Sequence, residues 1–312
     1  MPPPPPKRDN NNTKVGIRVA YEKLVASVIR PPRVNYDPSE LGPRIRRVAG
    51  RVVERVDYEL LNQRGEILAC SRWSPKRPSN DVVVYLHSNS SCRLAAVKSP
   101  VLETVSKSSA SLVAFDFSGC GRSEGDYVTL GVQEKDDVAT VVEDIRRSSP
   151  DAKIILWGRS MGAVSAILFG QVDAMVLDSP FSSMRQLVDD VAKRALPRVP
   201  SCCVGCIAFQ LRRSAKKRTR CDVLKVSATE AARVARAPAL FIAADRDALA
   251  PPDTHSAYLA SIWAASATIV RFDGEHNSPR PAFIYDKIAR FCTLAFKPPW
   301  HAEPNLRPRK TY

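Results

Sequence analysis

Six short apolar runs separated by longer polar stretches organise this chain: DVVVYLH, SLVAFDF, KIILW, DAMVLD, ALFIA and ATIVRFD, in that order. Each is nearly continuous in apolar residues rather than alternating, the pattern of strands covered on both faces in a parallel sheet. Two earlier runs, RVVERVDYEL and GEILACSRW, are joined by a short polar turn and predict an opening antiparallel hairpin. Between the runs the period lengthens. After Gly131, Val138, Val141, Val142 and Ile145 mark one face of a helix, with Glu134, Asp136 and Asp137 early and Arg146 and Arg147 late, as the helix dipole favours. The expectation is an α/β fold: a mostly parallel eight-stranded sheet flanked by helices.

One run ends in a distinctive way. Ile154 to Trp157 lead into Gly158-Arg159-Ser160-Met161-Gly162, after which Val164, Ile167 and Leu168 fall at helical spacing. A strand that turns sharply into a helix around a central serine is a nucleophile elbow, and the crowding at such a turn calls for glycine two residues to either side. Ser160 is therefore the candidate nucleophile.

A serine needs a base, and the chain offers four histidines. His87 closes a strand, His255 sits in an expected helix and His301 in a proline-rich tail. His276 follows the strand ATIVRFD in the loop Gly274-Glu275-His276-Asn277, which places it at the carboxyl edge of the sheet. The acid that orients it should come from a third strand end. Asp247, in the turn after ALFIAA, is the leading candidate, with Asp245 and Asp178 as alternatives. An oxyanion would be held by two backbone N–H groups, that of Met161 just after the nucleophile and that of Asn89 in the loop after DVVVYLH. Gly119, Gly121 and Gly125 read as a tight turn rather than a dinucleotide loop, because position 124 is glutamate and no acidic ribose partner ends a following strand.

These residues, with the blocks IRPPRVNYDP, VVVYLHSNSSCR, FDFSGCGRSEGDYVTLG, LWGRSMGAVSAILFG, MVLDSPFSSM, ALFIAADRDALAPP and GEHNSPRPAFIYDKI, make the chain resemble the α/β-hydrolases over about residues 29 to 291. Within them it is similar to a serine-aminopeptidase-like branch of protist and plant hydrolases related to membrane-associated protein depalmitoylases. The resemblance implies the α/β-hydrolase fold with a helical cap, a Ser160-Asp247-His276 triad and an oxyanion hole at Asn89 and Met161. Two positions depart from the family pattern: His87-Ser88 stands for the usual His-Gly, and Ala243-Ala244 replaces the His-Gly after the acid-bearing strand.

Composition adds limits. Of 312 residues, 44% are hydrophobic and 25% charged, as in an ordinary globular chain, and no apolar stretch reaches the roughly 20 residues that span a bilayer. MPPPPPKRDNNN lacks an apolar signal core and has Pro2 where myristoylation needs glycine, so a cytoplasmic location with reduced thiols and an unused sequon at Asn89 is expected. Cys202, Cys203, Cys206 and Cys221 lack zinc-ligand spacing, and the serine chemistry calls for neither metal nor cofactor.

The expected division is a tail at 1–12, a core at 13–180 and 237–297, a helical cap at 181–236 and a tail at 298–312. The net charge of +15 is unevenly spread: about +8 over residues 1–80, −4 over 81–180, +9 in that cap and +2 over the remainder. The cap segment CCVGCIAFQLRRSAKKR joins an apolar, cysteine-rich half to a basic half and fits either a helix with one solvated face or contact with an anionic membrane or acidic protein, with Cys202, Cys203 or Cys206 acylated. Val15 to Ile29, with Ile17, Tyr21, Leu24 and Val28 at helical intervals, is expected to dock on the sheet, with lying on a membrane as the alternative. Phe209 is the sole aromatic of the basic segment, too few for nucleic-acid stacking. The functional expectation is a serine hydrolase of an ester, thioester or peptide-type acyl bond, acting on a small molecule or an acylated protein or peptide. The alternative is a catalytically weak scaffold whose basic cap binds an anionic membrane or acidic protein.

Overall fold

The computed structural model describes residues 19–195 and 201–297, except 20, 23, 24 and 27; side chains at 195, 201–204 and 207 are likewise outside it. The two tails, Ile17, Leu24 and the side chains of Cys202 and Cys203 therefore lie outside the described residues. No helix among those described is long and apolar enough to cross a membrane.

All six apolar runs are parallel strands: β4 (Val82–Leu86), β5 (Ser111–Phe115), β6 (Ile154–Arg159), β7 (Ala174–Asp178), β8 (Ala239–Ala244) and β9 (Ala267–Phe272). The expected hairpin is β2 (Arg51–Leu61) with β3 (Ile67–Pro75). The sheet has nine strands rather than the expected eight, because β1 (Ile45–Val48) pairs antiparallel with β2. Its sequence, IRRV, shows no buried position, since an edge strand has little to bury. What makes it is the turn at Ala49-Gly50, where both residues take positive φ (48° and 78°) and reverse the chain in register. The strand order is β1-β2-β3-β5-β4-β6-β7-β8-β9.

Alternation along each strand builds two cores. Val82, Val84, Leu86, Ile154, Leu156 and Phe241 face one way, under α3 (Glu134–Ser148) and α4 (Met161–Phe169). Val83, Tyr85, Ile155, Trp157, Leu240 and Ile242 face the other, under α2 (Val101–Ser106) and α9 (Ala282–Ala295), while the short α1 (Ala95–Lys98) precedes α2. Helix α3 has the expected apolar stripe, but its acidic start does more than complement a dipole. Glu134 is buried and accepts hydrogen bonds from the Thr129 and Gly131 N–H groups and the Thr129 hydroxyl, so it closes the preceding turn.

Between β7 and β8 the chain passes through α5 (Met184–Ala195), α6 (Ser201–Thr219) and α7 (Thr229–Arg233), and α8 (Ser256–Ser261) follows β8. The amphipathic stretch near the amino terminus packs differently from the expectation. Val25 and Ile29 are buried with Ala215 and Val223 of this insertion, and the Tyr21 hydroxyl lies 2.7 Å from Ser214 Oγ. The insertion, not the sheet alone, provides the apolar surface that this stretch covers.

The glycine turn after β5 is a structural knot. Gly119, Gly121 and Gly125 take φ of 79°, 46° and 91°, and a Cβ at Gly121 would come within 2.4 Å of the Asp116 carboxyl. Asp116, fully buried, accepts from the Arg93 N–H (2.6 Å), the Arg122 N–H (2.9 Å) and the Tyr36 hydroxyl (2.8 Å). Removing the shared acceptor strands the Arg93 N–H and the Tyr36 hydroxyl together, whereas removing the Tyr36 hydroxyl loses its bond to Asp116 and the one it accepts from Arg93 Nε at 2.7 Å. Asp116→Ala is expected to destabilise by about 3 kcal/mol or more and Tyr36→Phe by about 2 kcal/mol, compared by urea unfolding.

Candidate active site

Ser160 stands at the joint of β6 and α4 with φ 51° and ψ −114°, a strained conformation for a residue with a Cβ. Its N–H donates to the Asp178 carbonyl at 2.8 Å, which pins the turn to the end of β7. The flanking glycines are required by contact rather than by φ. A Cβ on Gly158 would lie 2.4 Å from the Gly162 backbone, and one on Gly162 would lie 2.2 Å from the Leu86 carbonyl oxygen at the end of β4.

The parallel sheet brings three strand ends to one edge. His276 Nε2 lies 3.0 Å from Ser160 Oγ, and His276 Nδ1 lies 2.6 Å from Asp247 Oδ2. Asp247 and His276 are both buried. The other Asp247 oxygen, Oδ1, accepts from the N–H groups of Leu249 (3.0 Å) and Ala250 (2.7 Å), so the turn closed by Pro251 and Pro252 orients the carboxylate. With Nδ1–H donating to that carboxylate, Nε2 is left as the acceptor facing the serine hydroxyl.

The alternative acids are committed elsewhere. Asp245 is exposed and pairs with Arg271 at 2.6 Å. Asp178 is buried and pairs with buried Arg280 through two short contacts, Nη2 to Oδ1 at 2.8 Å and Nε to Oδ2 at 2.9 Å. Arg280 was not evident from the sequence, where it is one cation in the run SPRPAF. It stacks on the Phe272 ring and donates from Nη1 to the carbonyls of His276 (3.0 Å) and Ser278 (2.6 Å). Arg159 Nη2 donates to the same His276 carbonyl at 3.2 Å. Asp178 thus fixes the serine turn by its backbone and the histidine loop through Arg280.

A second histidine links the insertion to this edge. His255 is fully buried; its Nδ1 accepts from the Ser182 N–H at 3.0 Å, so its proton is on Nε2, 3.3 Å from Asp190 Oδ2 on α5. Thr254 Oγ1 donates to the same Asp190 oxygen at 2.9 Å. The helical reading of position 255 missed this, because His255 caps α8 instead of lying within it.

Met161 is buried at the first position of α4, and neither its N–H nor that of Asn89 finds an acceptor among the described residues. Asn89 lies in the loop after β4, the strand that pairs directly with β6. The Asn89 side chain accepts from the Ser90 N–H at 3.0 Å, and Ser90 takes a φ of 56°. Ser88, the departure from the usual glycine, is not among the positive-φ residues, so its backbone does not demand glycine. His87 holds this loop: fully buried, its Nε2 accepts from the Phe117 N–H at 3.1 Å and its Nδ1 donates to the Ser88 carbonyl at 2.8 Å.

The family model for serine aminopeptidases of the S33 type matches residues 92–223, a span that contains the Ser160 turn but ends before Asp247 and His276. The lysophosphatidylserine lipases ABHD12 of Macaca fascicularis and Danio rerio are 28% and 27% identical over 35% and 37% of this chain. The matched segments span 29% and 32% of those relatives' length. Among solved structures, an esterase of Pyrococcus furiosus superposes with a TM-score of 0.63 at 21% identity, covering 85% of this chain and 96% of its own. The chain has the α/β-hydrolase fold. Acetyl xylan esterase 1 from Thermoanaerobacterium shares the hydrolase fold with a TM-score of 0.60 at 17% identity, over 89% of this chain and 93% of that one.

Two outcomes follow from these contacts. Asp178→Asn leaves the buried Arg280 charge without its partner and is expected to cost about 3 kcal/mol, whereas Asp245→Asn at an exposed pair should cost under about 1 kcal/mol; chemical unfolding distinguishes them. Burial, opposed by Asp190 at His255 and by Asp116 at His87, holds both rings below the ordinary histidine range. The unfolded chain binds protons near pH 6.5 that the folded one refuses, so stability is full above about 6.5 and falls as pH drops below it. Urea midpoints across that range should show a shallower fall for His255→Gln.

Proposed function

We propose that this protein is a serine hydrolase that cleaves an acyl ester through an acyl-enzyme on Ser160. The observation that carries the proposal is the unbroken hydrogen-bonded line from Asp247 through His276 to Ser160 Oγ. In this mechanism Ser160 Oγ attacks the ester carbonyl carbon while His276 Nε2 takes its proton. Asp247, held by two backbone N–H groups, keeps the imidazole in the tautomer that leaves Nε2 open and stabilises the imidazolium that forms. The oxyanion meets the N–H groups of Met161 and Asn89, which have no acceptor of their own among the described residues. His276 then gives its proton to the departing alkoxide, and water, activated by the same nitrogen, releases the acid and restores Ser160.

An ester is favoured over a thioester or a peptide because the matching relatives are named as lysophosphatidylserine lipases and solved structures with this fold are named as esterases. The proposed chemistry needs no metal, since the serine, histidine and two amides supply nucleophile, proton transfer and charge stabilisation.

A fluorophosphonate probe followed by intact mass measurement should give one adduct on the parent protein and none on Ser160→Ala. His276→Ala should slow both labelling and hydrolysis of a short-chain nitrophenyl ester by about 1000-fold or more. An unlabelled, well-folded parent protein would overturn the reading in favour of a non-catalytic scaffold.

A further inference from the structure

Helix α6 contains no acidic residue from Ser201 to Thr219 and is basic in its last turn. Its inner side is settled: Ala215 and Thr219 are buried, and Ala215 packs with Val25, Ile29 and Val223. On the opposite side Cys206, Phe209, Gln210, Arg213, Lys216 and Lys217 are all exposed, Phe209 at 60%. These positions recur at intervals of three and four, so they form one continuous stripe, apolar towards the helix start and cationic towards its end. Arg220, just beyond the helix, is exposed as well.

The cations of this segment divide into two sets. Arg212 pairs with Asp222, and Arg218 pairs with Glu22, both on the flanks of the helix. Arg213, Lys216, Lys217 and Arg220 meet no acidic side chain among the described residues. The fold therefore draws its acids away from the outer stripe and leaves four charges facing outward beside an uncovered phenylalanine.

We propose that this stripe docks on an anionic lipid bilayer, with Phe209 entering the interface and Arg213, Lys216, Lys217 and Arg220 lying at the headgroups. A bilayer surface offers what the stripe lacks, an apolar layer under a negatively charged one, and an exposed helix face can meet both at once. An acidic protein or polyanion would satisfy the cations without using the apolar end. The docking surface is separate from Ser160, so it is measured without turnover.

The full-length protein is sedimented with phosphatidylcholine vesicles containing about 30% phosphatidylserine and with vesicles of phosphatidylcholine alone. Binding is expected on the anionic vesicles only, and it should weaken when salt is raised to about 0.5 M. Lys216→Gln with Lys217→Gln should weaken it about 25-fold, at about fivefold per charge, and Phe209→Ala by about tenfold. Because these side chains are exposed, the variants keep the parent's unfolding midpoint. Absence of binding to anionic vesicles, binding unchanged in both variants, or capture by heparin with no vesicle binding would each overturn the proposal. Ser160→Ala should bind as the parent does. Vesicle binding by a protein that resists fluorophosphonate would leave the docking surface standing and remove the hydrolase, and the converse would remove the docking surface alone.

Discussion

The close approach of helix α4 to the ends of β4 and β6 is the constraint from which the rest of the site follows. Gly162 passes so near the Leu86 carbonyl, and Gly158 so near Gly162, that no side chain fits at either position. This contact bends the chain through Ser160 and lifts its hydroxyl above the sheet edge. It also leaves the first amide of α4 without an intrahelical partner beside the loop that carries Asn89. The cost of the strained serine is offset by burial on both sides of β6, whose residues Ile154 to Trp157 are all in the core.

Around that turn the groups are fixed by polar contacts that reach across the sheet. Asp178 acts twice, by its carbonyl on Ser160 and by its carboxylate on Arg280, which in turn holds the His276 carbonyl. A single strand end thereby sets the separation between serine and histidine, and the Phe272 ring under Arg280 stiffens the same corner. The insertion joins from the other side, where Asp190 meets Thr254 and His255 a few residues beyond the Asp247 turn. Such pre-set geometry leaves the three side chains little to rearrange.

The strands and the meeting of Ser160, Asp247 and His276 were legible because each rests on a local signal: nearly continuous apolar runs, paired glycines, an acidic turn after a strand, and a shortage of histidines that left little choice. Strand β1 was not, since two arginines in four residues at a sheet edge carry no burial pattern. Arg280 and Asp190 were equally silent. Their importance comes from partners about a hundred and more than sixty residues away, and spacing along the chain carries no trace of such pairings. The amino-terminal stretch shows the same limit: its apolar stripe announced a docking face, but only the folded insertion shows what that face covers.

The order of strands also sets an order in time. His276 lies 116 residues after Ser160, on the loop that follows the last strand at the far rim of the sheet. A chain emerging during synthesis can form the bend around position 160 while the imidazole that will face it has yet to be made. The line from Asp247 through His276 to Ser160 is thus completed only when the final β-α unit closes the edge.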